Sequence, residues 1–187
     1  MSERASKGSA KQPAEPSRDD VVIGRRVQVE ERRVARRDGR IELRETVVHP
    51  GSVVLLPLLD DGRILLIRNH RFSVGRTLLE LPAGTREPGE DPALCAMREL
   101  EEETGFRAST LEPLLAFYPS PGSSDERMQL FVARGLVATA QQLDQSEQIE
   151  VEPMALADVL DCVRSNRIED AKTIAAVLYF RAFTLAL

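Results

Sequence analysis

Two cysteines, Cys95 and Cys162, are too few for a disulfide framework, so both thiols are expected to stay reduced. The two histidines, His49 and His70, offer no His-rich metal centre and read as turn and strand-end residues. No stretch approaches the roughly 18 consecutive apolar residues of a membrane-spanning helix, so no membrane partner is expected. The first twenty residues lack the apolar h-region of a secretory signal. A cytoplasmic location is the resulting expectation. Internal repeats of the kind that build solenoids are also missing. Tryptophan is absent, and aromatic residues make up only 4% of the chain.

What is present suits one domain with a modest flanking element: 187 residues, 42% apolar and 29% charged. The net charge of −5 is uneven. Residues 1–50 hold 12 Lys and Arg against 9 Asp and Glu, and residues 51–187 hold 13 against 21. The acidic part is a poor surface for a phosphate backbone, which clustered cations hold. The arginine-dense stretch Arg25–Arg44 reads as a strand pair with a solvated face, so no nucleic-acid partner is expected. An acidic surface that must meet a polyanion needs metal ions in between.

Met1 to Asp20 is polar and aperiodic, a disordered tail by composition. Residues 21–48 hold two runs around Arg37-Asp38-Gly39-Arg40, and Asp-Gly between such runs predicts a β-hairpin. That segment is too short to bury a face alone, which points to pairing with a second chain. Further strands are expected at Val53–Leu59, Arg63–Arg68, Thr77–Leu81, Leu114–Tyr118, Met128–Ala133 and Ile149–Pro153. Helices are expected at Pro92–Thr104, Ala155–Ser165 and from Glu169 onward. The first has Asp91 as N-cap, Pro92 in its first turn and Gly105 as its stop. Mixed strands with few strand–helix–strand passages predict an α/β sandwich with a mixed sheet.

The segment Gly84 to Phe106, GTREPGEDPALCAMRELEEETGF, carries the chemistry. On a helical wheel Ala93, Ala96, Met97, Leu100 and Thr104 share one sector and are expected to face the core. Glu99, Glu102 and Glu103 stand at i, i+3 and i+4 on another side, so their carboxylates converge. Like charges brought together near a helix C-terminus are destabilising, and something must offset that cost. Two readings stand. Either this is a solvated helix end neutralised by Arg98, or the carboxylates bind a hard divalent cation such as Mg²⁺.

The wider spacing fits G-x5-E-x7-R-E-U-x-E-E-x-G-U, with U apolar, at every position: Gly84, Glu90, Arg98, Glu99, Leu100, Glu102, Glu103, Gly105 and Phe106. It resembles the signature box of the Nudix hydrolases, a match expected by chance about once in a million chains of this composition. The stretches Arg71–Gly84 and Tyr118–Glu126, with Pro121 beyond the box, resemble the ADP-ribose pyrophosphatase branch. Val47–Val53 and Asp170-Ala171-Lys172-Thr173 also resemble that branch.

The resemblance implies a Nudix-type α/β/α sandwich over residues 49–187, with residues 21–48 serving dimerisation. It implies Mg²⁺-dependent hydrolysis of ADP-ribose, a small-molecule nucleoside diphosphate sugar, to AMP and ribose 5-phosphate, with Mn²⁺ as a substitute ion. Another nucleoside diphosphate sugar such as GDP-mannose is the alternative, and a non-catalytic ADP-ribose-sensing module a further one. Carried over, Glu99, Glu102 and Glu103 are the metal ligands, joined by the carbonyl of Ala83. Gly84 lets the backbone approach them, and Arg98 and Glu90 orient them. Glu126 occupies the position of a loop general base, with Glu102 and Glu103 as the other catalytic carboxylates. Arg71 and Arg76 are candidates for the diphosphate or terminal ribose, and Arg44 and Glu45 for the nucleobase. With no tryptophan to stack on the base, Phe72 or Tyr118 would have to serve.

Overall fold

The computed structural model describes residues 28–185. The tail expected at 1–20 and the first residues of the 21–48 segment lie outside the described residues. Strands β1 (Gln28–Ala35) and β2 (Ile41–Val48) come first, then β3 (Ser52–Pro57), β4 (Arg63–Arg71), β5 (Arg76–Glu80) and the short β6 (Ala83–Thr85). Helix α1 (Pro92–Thr104) follows, then β7 (Phe106–Phe117), β8 (Met128–Ala138), β9 (Ile149–Ala155), α2 (Leu156–Arg164) and α3 (Ala171–Phe183).

β1 and β2 pair antiparallel from Gln28↔Val48 to Ala35↔Ile41 and form a sheet of their own. Gly39, at φ 80°, supplies the left-handed residue that the Asp-Gly pair announces. The hairpin is tied to the rest through the loop ahead of β8. The Val47 amide donates to the Ser123 carbonyl (2.8 Å), and the Asp125 carboxylate accepts from the His49 amide (2.9 Å) and the Arg32 guanidinium (2.9 Å).

The other strands form a mixed four-stranded sheet, ordered β6-β3-β8-β7 with β3 and β8 parallel, and a three-stranded antiparallel sheet, β5-β4-β9. β3 is buried along its whole length, as its continuous apolar run requires. Its alternating side chains serve two cores. Val53 and Leu55 pack with Cys95, Ala96 and Leu100 of α1, while Val54 and Leu56 pack with Ile64, Leu66 and residues of α2 and α3, including Phe180. Each fully buried Val, Leu or Ile contributes about 1.5–3 kcal/mol. This is the expected α/β sandwich, with helices on both sides of a mixed sheet.

Three details differ from expectation. β6 was not anticipated, because Ala83–Thr85 has no apolar alternation and pairs only with the start of β3. β7 begins at Phe106 rather than Leu114. As an edge strand paired with β8 alone it keeps a solvated, polar first half, and Pro113 is accommodated at a register shift between Pro113 and Leu115. On α1, Met97 is exposed and not in the core, whereas Glu103 falls inside the buried stripe at 5% exposure.

Candidate active site

Helix α1 begins and ends on its sequence signals. The Asp91 carboxylate accepts from the Ala93 amide (2.8 Å), and Gly105 closes the helix at φ 68° with its amide on the Glu101 carbonyl (2.9 Å). The two carbonyls that follow are satisfied from elsewhere. The Gln142 amide donates to the Glu102 carbonyl (3.0 Å), and the Gln141 side-chain amide donates to the Glu103 carbonyl (2.6 Å). The loop at 139–148 is thereby fastened to the helix end.

That fastening builds an acidic recess of about 160 Å³, lined by Arg98, Glu99, Glu102 and Glu103 of α1 and by Asp144 and Glu147 of the loop. Glu103 reaches across to β6, where it accepts from the Ala83 amide (2.9 Å). Burial pushes the Glu103 carboxyl up to about 8; the Ala83 N–H opposes this, and the charges of Glu99 and Glu147 add to it. Glu99 is raised as well, chiefly by burial, although Arg98 pulls it down.

Arg98 stands at the centre of the cluster. Its Nε and Nη2 lie 3.1 Å from the two oxygens of Glu90, while Nη1 reaches Glu99 (2.8 Å) and Glu102 (3.0 Å). Glu90 is held down to about 2 by that hydrogen bonding and by the Glu87 amide. Among the described residues no three acidic, histidine or cysteine side chains form a preformed cation cage. The Arg98 guanidinium bridges Glu99 and Glu102 through Nη1 and supplies the neutralising charge. The oxygen-only donor set still suits a hard divalent ion, and the buried, protonation-prone Glu103 has no cationic partner within hydrogen-bonding distance among the described residues.

Gly84 is the second indication of a built site. A β-carbon there would lie 1.8 Å from the carboxyl carbon of Glu99, so glycine at this position leaves the Glu99 carboxylate where it stands. Ala83, Gly84 and Thr85 also line a cleft of about 390 Å³. Arg71, Glu80, Glu126 and Lys172 line it. Glu126 is anchored there by the hydroxyl of buried Ser52 (2.8 Å). Glu103 of the acidic recess is bonded to Ala83, and Ala83 lines this cleft, so β6 links the two.

The remaining candidates are dispersed. Arg71 borders the cleft, while Arg76, its cross-strand partner on β5, is outside the cleft lining and pairs with Glu169 (2.7 Å). Arg44 and Glu45 are neighbours on β2 and therefore present opposite faces of the hairpin. They cannot grip one group together from a single chain. Phe72 and Tyr118 are both exposed. Glu147 and Asp144 went unremarked in the sequence because the loop carrying them has no periodicity. The signal that could have found them is a pair of acids, Asp144 and Glu147, in the polar stretch between β8 and β9.

Residues 48–177 match the NUDIX domain. The chain belongs to the NUDIX family. Over 146 residues it is 42% identical to an ADP-ribose pyrophosphatase of Bacillus subtilis (strain 168), covering 77% of this chain and 79% of the relative. A methanol dehydrogenase activator of Bacillus methanolicus is 36% identical over 165 residues, covering 87% and 89%. Among solved structures, an ADP compounds hydrolase superposes with a TM-score of 0.75 at 25% identity, over 86% of this chain and 88% of that one. The NUDIX match spans every residue of the acidic recess and all of the cleft.

Proposed function

We propose that this NUDIX hydrolase splits the diphosphate bond of ADP-ribose into AMP and ribose 5-phosphate, with a divalent ion, Mg²⁺ by preference and Mn²⁺ as substitute, held by Glu99, Glu102, Glu103 and the Ala83 carbonyl. The observation that carries this reading is the acidic recess of α1, packed against Gly84 and tied through Glu103 to β6, which lines a cleft that Arg71 borders. When bound, such an ion neutralises diphosphate charge and lowers the pKa of a coordinated water.

The chain's own residues supply the rest. Arg98 releases its Nη1 contacts to Glu99 and Glu102 while Glu90 keeps hold of Nε and Nη2, so the carboxylates are freed without losing their orientation. Glu103 gives up its proton, since a ligand carboxylate must be ionised. Arg71 offers the guanidinium edge that Glu80 leaves free to a diphosphate oxygen at the cleft. Glu126, oriented by Ser52, stands at the cleft as the base that takes a proton from the attacking water. A second assignment of the base has its own support: Glu147 lines the recess itself, beside Glu99, Glu102 and Glu103.

Product analysis tests the reading. AMP and ribose 5-phosphate are expected from ADP-ribose in Mg²⁺ with the native chain and not with Glu103→Gln. Equal turnover of GDP-mannose would reject ADP-ribose as the preferred substrate, and tight binding without AMP release would indicate a sensing module. For the base, Glu126→Gln is expected to depress kcat by about 10²–10⁴-fold. If Glu126→Gln leaves kcat unchanged and Glu147→Gln depresses it, the base is Glu147. We further propose a cytoplasmic homodimer paired through the exposed hairpin, with Arg44 or Glu45 contributed to the nucleobase.

A further inference from the structure

The sequence Asp170-Ala171-Lys172-Thr173 has no part in the chemistry so far, yet α3 brings it to the cleft wall. Glu80, at the end of β5, is fully buried. Its two oxygens receive Arg71 in a bidentate grip, Nε at 2.7 Å and Nη2 at 2.9 Å. The Nζ of buried Lys172 binds the same carboxylate and also lies 3.0 Å from Asp170. Asp170 caps α3 through the Thr173 amide (3.0 Å), and the Thr173 hydroxyl accepts from the Leu81 amide (2.8 Å). The network therefore runs from α3, through Glu80, to the guanidinium at the cleft. It contains two cations and two anions, so it is neutral overall. Arg71 is its most exposed member, at 37% of the side chain.

We propose that Glu80 and Lys172 are positioning residues for Arg71: their buried ion pair fixes which edge of the guanidinium faces an incoming diphosphate, making α3 part of the anion-binding apparatus. Stability alone does not account for the arrangement, because a buried ion pair is matched or exceeded by well-packed apolar residues of similar volume. Geometry does account for it. An arginine side chain is conformationally costly to hold still, and a fork clamped on Nε and Nη2 has one donor edge left, with Nη1 unpartnered among the described residues. The second cation matters as well. Without Lys172, Glu80 would act on Arg71 alone and draw the guanidinium inward, away from the anion it is meant to meet.

This inference rests on the diphosphate reading of the cleft, and the test separates the two. In ligand-free protein, NMR of the Arg71 Nε–Hε group is expected to show slow solvent exchange that quickens in Glu80→Gln and changes in Lys172→Met. Freely exchanging Hε in the native chain would overturn the positioning role and leave the substrate reading untouched. In steady-state kinetics with ADP-ribose, Glu80→Gln and Lys172→Met are each expected to raise KM roughly tenfold or more. Their kcat should hold within about threefold, the pattern of lost uniform binding. In an Arg71→Ala background the same substitutions should add less than about twofold, because the group they position is gone. Full additivity in that background would overturn the proposal. If Glu80→Gln fails to fold, Lys172→Met decides both arms.

Discussion

Glu103 shows how a single side chain records its surroundings. Burial holds its carboxyl at about 8, above the ordinary value of 4.5, so in ion-free protein it is protonated at neutral pH. For an acid raised on folding, the native state binds more protons than the unfolded one between the two values. The contribution of Glu103 to the stability of the ion-free protein is therefore fully present below about 4.5 and is lost as pH rises through about 8. Thermal unfolding in chelator should show Tm falling across that window, and Glu103→Gln should flatten the slope. Ion binding at pH 7 should release a proton, which calorimetry in buffers of different ionisation enthalpy measures. Gly84→Ala makes a separate test. Its methyl group would displace the Glu99 carboxylate. The fold should survive, with divalent-ion affinity down by about 10–100-fold in a direct titration.

Among the elements, α1 was the most legible, because its signals are local. Asp91 and Gly105 cap it where the sequence placed them. Gly105→Ala should cost about 1–2 kcal/mol from the left-handed backbone alone. More is expected because the new β-carbon would meet the Gln141 amide nitrogen at 2.9 Å. Chemical denaturation checks this. Elements defined by a partner were harder to read. β6 exists because β3 pairs with it, and the solvated half of β7 because β8 does. The site divides in the same way. Carboxylates within one helix could be read from their spacing. The contribution of Asp144 and Glu147 depends on Gln141 and Gln142 capping that helix across a long stretch of chain, and spacing carries no trace of that. The partner of Arg76 is equally silent in the sequence, because Glu169 reaches it only through the docking of a segment far along the chain.

For the whole molecule, the proposed pairing rests on the hairpin. Every residue of β1 is exposed, and Val29, Ile41 and Leu43 share one uncovered face with Glu45. Sedimentation at micromolar concentration is expected to show a species of twice 20.8 kDa, and Leu43→Glu should shift it to the monomer. A monomer for the native chain would remove the pairing proposal. β3 has a consequence of a different kind. Because one strand supplies both cores, neither half of the protein can melt and leave the other standing. Heat or denaturant should meet a single cooperative transition over this sandwich, and the backbone amides of Val53 to Leu56 should be the last to trade their hydrogens for deuterium.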